Sequence, residues 1–324
     1  MSDLKAITEK IRRFNNFLIT SHVNLEGDSL GSQLAMANLL KCMGKNSTIL
    51  DSDAVPARYR FLPDAGLVKN KLGKKERKFE AAIVLDCPNI GRTGRVKNVV
   101  KKIDYVINID HHISNEKFGD INWIDKEASS AGEMIFKLYN ETGCEITPPT
   151  ALYLYTAILT DTGSFNYSNT SAATHEIVSE LLGYGIKPYE VSKNVYENKT
   201  EGEIKLLGRI LSGIRVTSGG CIAYAAAGKN DFMLTGTQPS SCENAVNFAR
   251  SIDGVKVAVF FREDIKKKNV FHVSFRSTKE ADVNKIASFF GGGGHRNASG
   301  CTVMGSFDSV KNKVLNKVKN ALRQ

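Results

Sequence analysis

The sequence predicts an α/β fold: a doubly wound parallel sheet in the N-terminal part, followed by a smaller mixed α/β domain. Three observations lead there. Short, continuously apolar runs such as Phe17-Leu18-Ile19 and Ala81-Ala82-Ile83-Val84-Leu85 read as strands covered on both faces, the habit of parallel sheets. Helical patterns separate these runs, which is the βαβ rhythm. After about residue 205 the texture changes, and Val270-Phe271-His272-Val273-Ser274-Phe275 alternates apolar with polar, the habit of a strand with one face on a core.

In chain order, Phe17–Thr20 is the first strand. A helix is expected from about Ser29 to Met43, stopped by Gly44, a residue suited to a helix C-terminus. Ser47–Leu50, Ala81–Leu85 and Tyr105–Ile109 are the next strands, and Ala128–Tyr139 and Ala151–Leu159 are helices. The polar stretch 187–205 lacks a strand pattern and reads as a helical linker between a first domain, 1–186, and a second, 206–324. In the second domain Cys221–Ala225, Val255–Phe261 and Val270–Phe275 read as strands. The last two flank a charged hairpin, Arg262–Asn269, and a helix from about Ser309 to Leu322 closes the chain.

A chain of 324 residues is long enough for two such domains. The net charge of +10 and pI near 9.2 favour an anionic partner without saying which. No apolar stretch is long enough to span a membrane, and the polar start Met1-Ser2-Asp3-Leu4-Lys5 lacks a signal-peptide apolar region. The six cysteines, Cys42, Cys87, Cys144, Cys221, Cys242 and Cys301, form no CxxC pair and no disulfide-like cluster. A reduced, cytoplasmic setting is therefore expected, with no Cys-held structural zinc.

Chemistry-bearing residues gather just after the predicted strands, where open parallel sheets bind ligands. His22, Glu26 and Asp28 follow the first, Asp86 the third, Asp110-His111-His112 the fourth, and Asp161 ends the helix begun at Ala151. Singly, an Asp after a strand is a turn or cap residue. Together they pack acids and imidazoles at one sheet edge, where like charges repel unless cations compensate them. Carboxylate and imidazole donors suit Mn²⁺, Fe²⁺, Co²⁺ or Zn²⁺. The donors outnumber what one ion takes, so two ions sharing a carboxylate are expected. Ions roughly 3.5–4 Å apart activate water and stabilise an in-line phosphoryl displacement. In the second domain, Gly291-Gly292-Gly293-Gly294-His295-Arg296 would let backbone approach an anion closely, and Arg276 is a second candidate anion contact.

These motifs, in this order, resemble the DHH phosphoesterases, whose name derives from Asp110-His111-His112 here. His22-Val23-Asn24-Leu25-Glu26-Gly27-Asp28, Asp86 and Thr160-Asp161-Thr162-Gly163 resemble the family's other motifs, and Gly291–His295 resembles the associated DHHA1 domain. The resemblance covers nearly the whole chain and, by size, is most similar to the stand-alone branch acting on very short RNA and on 3′-phosphoadenosine-5′-phosphate. It implies that His22, Glu26 and Asp86 hold one metal and that Asp28, Asp86, His111 and Asp161 hold the other, Mn²⁺ being the expected ion and Co²⁺, Fe²⁺ or Mg²⁺ alternatives. It implies that His112 faces the scissile phosphate, that Asp110 orients a histidine, and that Arg276, Gly292, Gly293, Gly294, His295 and Arg92 contact substrate. Where the family has Pro-Asp this chain has Leu25-Glu26, one methylene longer in its acid, and Ser299 stands where Ala is typical.

The implied activity is hydrolysis of short oligonucleotides and nucleoside 3′,5′-bisphosphate, by a protein compatible with a homodimer. The alternatives are a pyrophosphatase or exopolyphosphatase, a phosphodiesterase of cyclic or linear dinucleotides, and an inactive nucleic-acid-binding module. The last would have lost its metal donors, and this chain keeps them.

Overall fold

The computed structural model describes residues 3–72, 78–242, 244–278 and 281–322. The chain divides into two compact units, Met1–Asn198 and Lys199–Gln324.

The first unit runs α1 (Asp3–Arg13), β1 (Asn16–Thr20), α2 (Gly27–Cys42), β2 (Asn46–Ile49), β3 (Ala81–Leu85), α3 (Lys97–Val100), β4 (Val106–Asp110), β5 (Ile121–Ile124), α4 (Ala131–Thr142), α5 (Pro148–Asp161), α6 (Ala172–Leu182) and α7 (Pro188–Tyr196). Its strands form a parallel sheet in the order β2-β1-β3-β4-β5. Alternate residues serve opposite faces. Phe17, Ile19, Ile83, Leu85, Ile107 and Ile109 join the core under α1, α2, α4 and α5, while Leu18, Ala82 and Val84 pack with Val96 and Val100 on the other side. Both faces are covered, which is why Phe17–Ile19 of β1 and Ala81–Leu85 of β3 read as unbroken apolar runs. The order reverses direction between β1 and β3, creating a crevice at their carboxyl ends.

The helices over the sheet are brought close by small residues. A Cβ on Gly27 would lie 2.4 Å from Thr160 Oγ1, so only glycine lets the start of α2 touch the end of α5. That contact puts Asp28 and Asp161, each the next residue along, beside one another.

The six cysteines do not all stay reduced: Cys42 and Cys144 form a disulfide. They lie 102 residues apart, so their spacing carried no signal. Packing of α2 against α4 brings the end of one to the end of the other, with a Cα–Cα distance of 6.2 Å, inside the range a disulfide bridges. Cys87, Cys221, Cys242 and Cys301 are free thiols. Among the described residues no helix is long and apolar enough to cross a membrane.

The second unit runs α8 (Glu201–Ser212), β6 (Arg215–Thr217), β7 (Ile222–Ala227), α9 (Lys229–Thr235), α10 (Ala245–Arg250), β8 (Val257–Glu263), β9 (Val270–Ser277), α11 (Val283–Phe289), β10 (Gly293–Gly294), β11 (Ala298–Met304) and α12 (Phe307–Ala321). Its sheet, ordered β10-β11-β9-β8-β7-β6, is mixed: β7 and β8 are parallel and the other pairs antiparallel. Val257, Val259 and Phe261 face the core of α11 and α12. Ala258 and Phe260 face that of α8, α9 and α10.

Candidate metal centre

The crevice between β1 and β3 receives the chemistry-bearing side chains of the first unit. His22 leaves the end of β1, Asp86 the end of β3, and Asp110, His111 and His112 the end of β4. Asp28 comes from the first turn of α2 and Asp161 from the last turn of α5. All but Asp161 are buried.

Asp86 is the hub. Its Oδ2 lies 3.2 Å from His22 Nε2, and its Oδ1 lies 3.6 Å from both His111 Nε2 and His112 Nδ1. Its backbone is left-handed, with φ +49°, a conformation Asp tolerates better than most residues but one that is uncommon outside turns and functional sites. Burial opposes the charge on Asp86, yet hydrogen bonds from His111 and His22 and the nearby histidines hold its carboxyl well below the usual range.

Asp28 is held from behind. Its oxygens accept the amides of Ala131 at 2.8 Å and Gly132 at 2.9 Å, in the first turn of α4, and Ser32 Oγ at 2.9 Å. The positive end of that helix suits a carboxylate. Burial, followed by the charges of Asp86 and Asp161, still pushes its carboxyl well above the usual range. Burial outweighs the opposing pull of His111 and, with the Asp86 charge adding to it, lifts Asp161 to about 6. A cluster in which two of three carboxylates resist ionisation is short of positive charge, and a divalent cation supplies it.

The histidines fall into two kinds. His22 and His111 are oriented through Nδ1, against the carbonyls of Val23 at 2.6 Å and Ala128 at 3.2 Å. An Nδ1–H donated to a carbonyl leaves Nε2 as the ligating nitrogen. His111 Nε2 then faces Asp161 at 3.5 Å, Asp86 at 3.6 Å and Asp28 at 3.8 Å, spacings that accommodate a shared cation. His112 instead sets Nδ1 against the Asp110 carboxylate at 2.7 Å. Burial works against the Asp110 charge, but His112 more than offsets it and lowers that carboxyl below its usual range. Asp28, Asp86 and His111 offer donor atoms within 4.8 Å of one another, as do Asp86, Asp110 and His112. The donor set of carboxylate oxygens and imidazole nitrogens fits divalent ions of intermediate softness.

Glu26 stays at the exposed rim as the N-cap of α2, its amide donating to Ser29 Oγ at 2.9 Å. Its charge is felt at His22 and Asp161. Arg92 is half-buried, its carbonyl accepts the Val23 amide at 2.7 Å, and its charge too is felt at His22.

Supporting residues without any sequence signal complete the centre. Asn115 Nδ2 donates to Asp110 Oδ2 at 2.6 Å and to Asn108 Oδ1 at 2.8 Å, fixing the carboxylate that fixes His112. Asn169 Nδ2 donates to the carbonyls of Ser129 and Asp161. Asp51, buried after β2, accepts the Ser21 amide at 3.1 Å and, chiefly through burial, is pushed up to about 6.

In the second unit, Arg276 lies on β9 opposite Ala298 of β11. Ala298 in turn closes a turn with His295, by His295 N–H to Ala298 O at 2.8 Å. Arg276 and His295 are thus brought to one end of that sheet. The glycines beside them are not a loose loop. A Cβ on Gly292 would meet Gly300 O at 2.1 Å, and one on Gly294 would meet Ala298 O at 2.5 Å, so packing against β11 demands both. The Gly292 amide donates to Ala287 O of α11 at 2.9 Å, and the His295 amide is used within the turn to Ala298. Gly293 is different: it is exposed, and the nearest contact of an added Cβ is Asn284 Oδ1 at an ordinary 3.8 Å. His272, outside the motifs, pairs with Asp264 at 3.1 Å.

Residues 16–158 match the family model of the DHH family N-terminal domain, and residues 221–324 match that of the DHHA1 domain. A bifunctional oligoribonuclease and PAP phosphatase NrnA from Thermus thermophilus is 31% identical over 306 residues, spanning 94% of this chain and 89% of that protein. The NrnA of Bacillus subtilis (strain 168) is 28% identical, spanning 91% and 93%. A solved structure described as an exopolyphosphatase-related protein from Bacteroides fragilis superposes with a TM-score of 0.90 at 28% identity, covering 99% of this chain and 98% of that one. With these motifs gathered around Asp86, the chain belongs to the DHH family and carries a DHHA1 domain.

Proposed function

We propose that this protein is a divalent-metal phosphoesterase that hydrolyses short oligonucleotides and nucleoside 3′,5′-bisphosphate. The observation that carries this reading is one carboxylate, Asp86, shared among three buried imidazoles at the switch point of a parallel sheet. Relatives whose names pair oligoribonuclease with PAP phosphatase support the substrate class. His22, Glu26 and Asp86 would hold one ion; Asp28, Asp86, His111 and Asp161 would hold the second. Bound divalent ions supply activation of water and stabilisation of charge on the phosphoryl oxygens. The protein's own groups do the rest. Asp110, steadied by Asn115, holds His112 so that its Nε2 can give a hydrogen bond or proton to the phosphate. Arg276 and His295 take a terminal phosphate, and Gly293 leaves room for substrate beside them. Mn²⁺ is the proposed ion, because imidazole ligands suit it better than Mg²⁺.

One assay tests the reading: hydrolysis of di- to tetracosanucleotides, nucleoside bisphosphate, cyclic dinucleotides, pyrophosphate and polyphosphate, each with chelator and after Mn²⁺ addition. Turnover is expected with Mn²⁺, on the shortest oligonucleotides and the bisphosphate, and none with chelator. Turnover confined to polyphosphate would favour the alternative that the Bacteroides fragilis description suggests, and full turnover in chelator would remove the metal centre. Mn²⁺ should also raise Tm, since it binds the folded centre alone.

In chelator, pH has a definite sign. Asp161 titrates at about 6 in the fold and near 3.9 when unfolded. The folded state therefore binds the extra proton between those values, and stability falls as pH rises from about 4 through about 6. A Tm that rose over that interval in chelator would contradict the crowding of carboxylates. In the same assay Arg276→Ala should slow nucleotide substrates while sparing bis-p-nitrophenyl phosphate. A charge-assisted contact of roughly 1.5–3 kcal/mol corresponds to about 10- to 150-fold in kcat/KM. Equal losses on both substrates would assign Arg276 to the fold.

A further inference from the structure

On the β2 side of the first unit lies a surface cavity of about 560 Å³ that the chemistry above does not use. Arg60, Lys69 and Lys71 line it, with Val55, Ala65 and Val68 forming an aliphatic wall, and no carboxylate is among its described lining residues. The basic strip is built into the sheet edge. Leu50 bridges to Lys69; the Lys69 amide donates to Ile49 O at 3.0 Å, and the Asp51 amide to Lys69 O at 2.9 Å. Arg95 clamps the strip from outside, its Nη2 donating to the carbonyls of Asn70 and Ser52, both at 2.8 Å. The wall is also tied to the metal centre. Asp53, the residue before the cavity wall begins at Ala54, accepts the Asn24 amide at 2.6 Å, and Asn24 is two residues from His22.

A lining that combines cations with aliphatic groups, in a volume of this class, suits a small ligand with an anionic part and a flat apolar part. A phosphate chain alone would leave the aliphatic wall unused. We infer that this cavity binds a further nucleotide unit of an oligonucleotide whose scissile phosphate lies at the metal centre, with Arg60 and Lys71 on its phosphate. This rests on the oligonucleotide reading above, and it makes the enzyme's length preference a property of the β2 edge.

The test compares the holoenzyme with the Arg60→Ala/Lys71→Ala variant, after circular dichroism confirms equal folding. For hydrolysis, two partly exposed phosphate contacts predict about a 5- to 20-fold lower kcat/KM on tri- and tetranucleotides, with dinucleotide and bis-p-nitrophenyl phosphate unchanged. Unchanged tetranucleotide kinetics, or equal losses at every length, would overturn the inference. Binding is read separately, by fluorescence anisotropy of a labelled phosphorothioate tetranucleotide that resists cleavage. A 5- to 20-fold weaker Kd in the variant is expected even if no oligonucleotide is turned over, the result that would sink the functional reading alone. Equal Kd values would sink the cavity. Tripolyphosphate that displaced the probe as well as unlabelled tetranucleotide does would also overturn the assignment to a nucleotide unit.

Discussion

Asp86→Asn is expected to lower kcat/KM on dinucleotide by about 10²–10⁴-fold and to leave the protein with less than its full metal content. The magnitude follows from burial. Asp86 sits among His22, His111 and His112 at 3.2–3.6 Å, and removing one partner from a buried charged set costs roughly 3–5 kcal/mol. Lost from the transition state, that is about two to four powers of ten. Because the same carboxylate is proposed to serve both ions, the loss should fall at the upper end. Asparagine is the informative replacement. With φ at +49°, alanine would add a steric penalty of about 1–2 kcal/mol, mixing backbone strain with chemistry, whereas asparagine tolerates this conformation. Asp86→Ala should therefore melt below Asp86→Asn while matching its residual activity. Elemental analysis decides the role: two ions per chain in the asparagine variant would show that Asp86 does not bridge.

The sheet of the first unit was legible because its inner strands β1 and β3 are buried on both faces and carry runs of apolar residues. β5 escaped notice because Asn122 interrupts four residues, too few for a pattern, and β10 because Gly293-Gly294 has no side chains to show a period. The acids and histidines of the candidate metal centre were legible as residue types near strand ends, and the glycine that joins α2 to α5 explains why Asp28 and Asp161 meet. What the sequence could not carry is everything set by distant packing. Asn115 reaching Asp110, Asp51 supporting the backbone beside His22, the left-handed turn at Asp86 and the Cys42–Cys144 bond each depend on partners that only the completed fold brings near. The glycine-rich segment was legible as special, but its reason was mixed. Gly292 and Gly294 answer to β11, and only Gly293 has room to spare. The basic cavity beside β2 was invisible, since Arg60, Lys69 and Lys71 are ordinary surface cations until the loop folds them together.

The Asp110–His112 pair yields the second large effect, of a different kind. Nδ1 of His112 lies 2.7 Å from Asp110 Oδ1, while Asn115 holds the other oxygen at 2.6 Å. The carboxylate is thus anchored before it anchors the ring. His22 and His111 set Nδ1 against backbone carbonyls instead, which turns Nε2 toward the Asp86 carboxylate. With Nδ1 turned to the Asp110 carboxylate, His112 presents Nε2 as the nitrogen that can give a hydrogen bond or a proton to substrate. His112→Gln should therefore retain both ions and full thermal stability in Mn²⁺, yet lose about 10²–10⁴-fold in kcat, the usual size for a general acid or base. Asp110→Asn should approach the same loss with the histidine still present, because an amide at Oδ1 can hold the wrong tautomer. The pH profile separates this role from a structural one. If His112 donates the proton, wild-type kcat/KM falls on the alkaline side as the ring loses it, and in His112→Gln that limb should flatten. A variant that lost metal, or one that kept the wild-type alkaline limb at reduced height, would remove His112 from proton transfer and return it to the set of groups that merely hold the centre together.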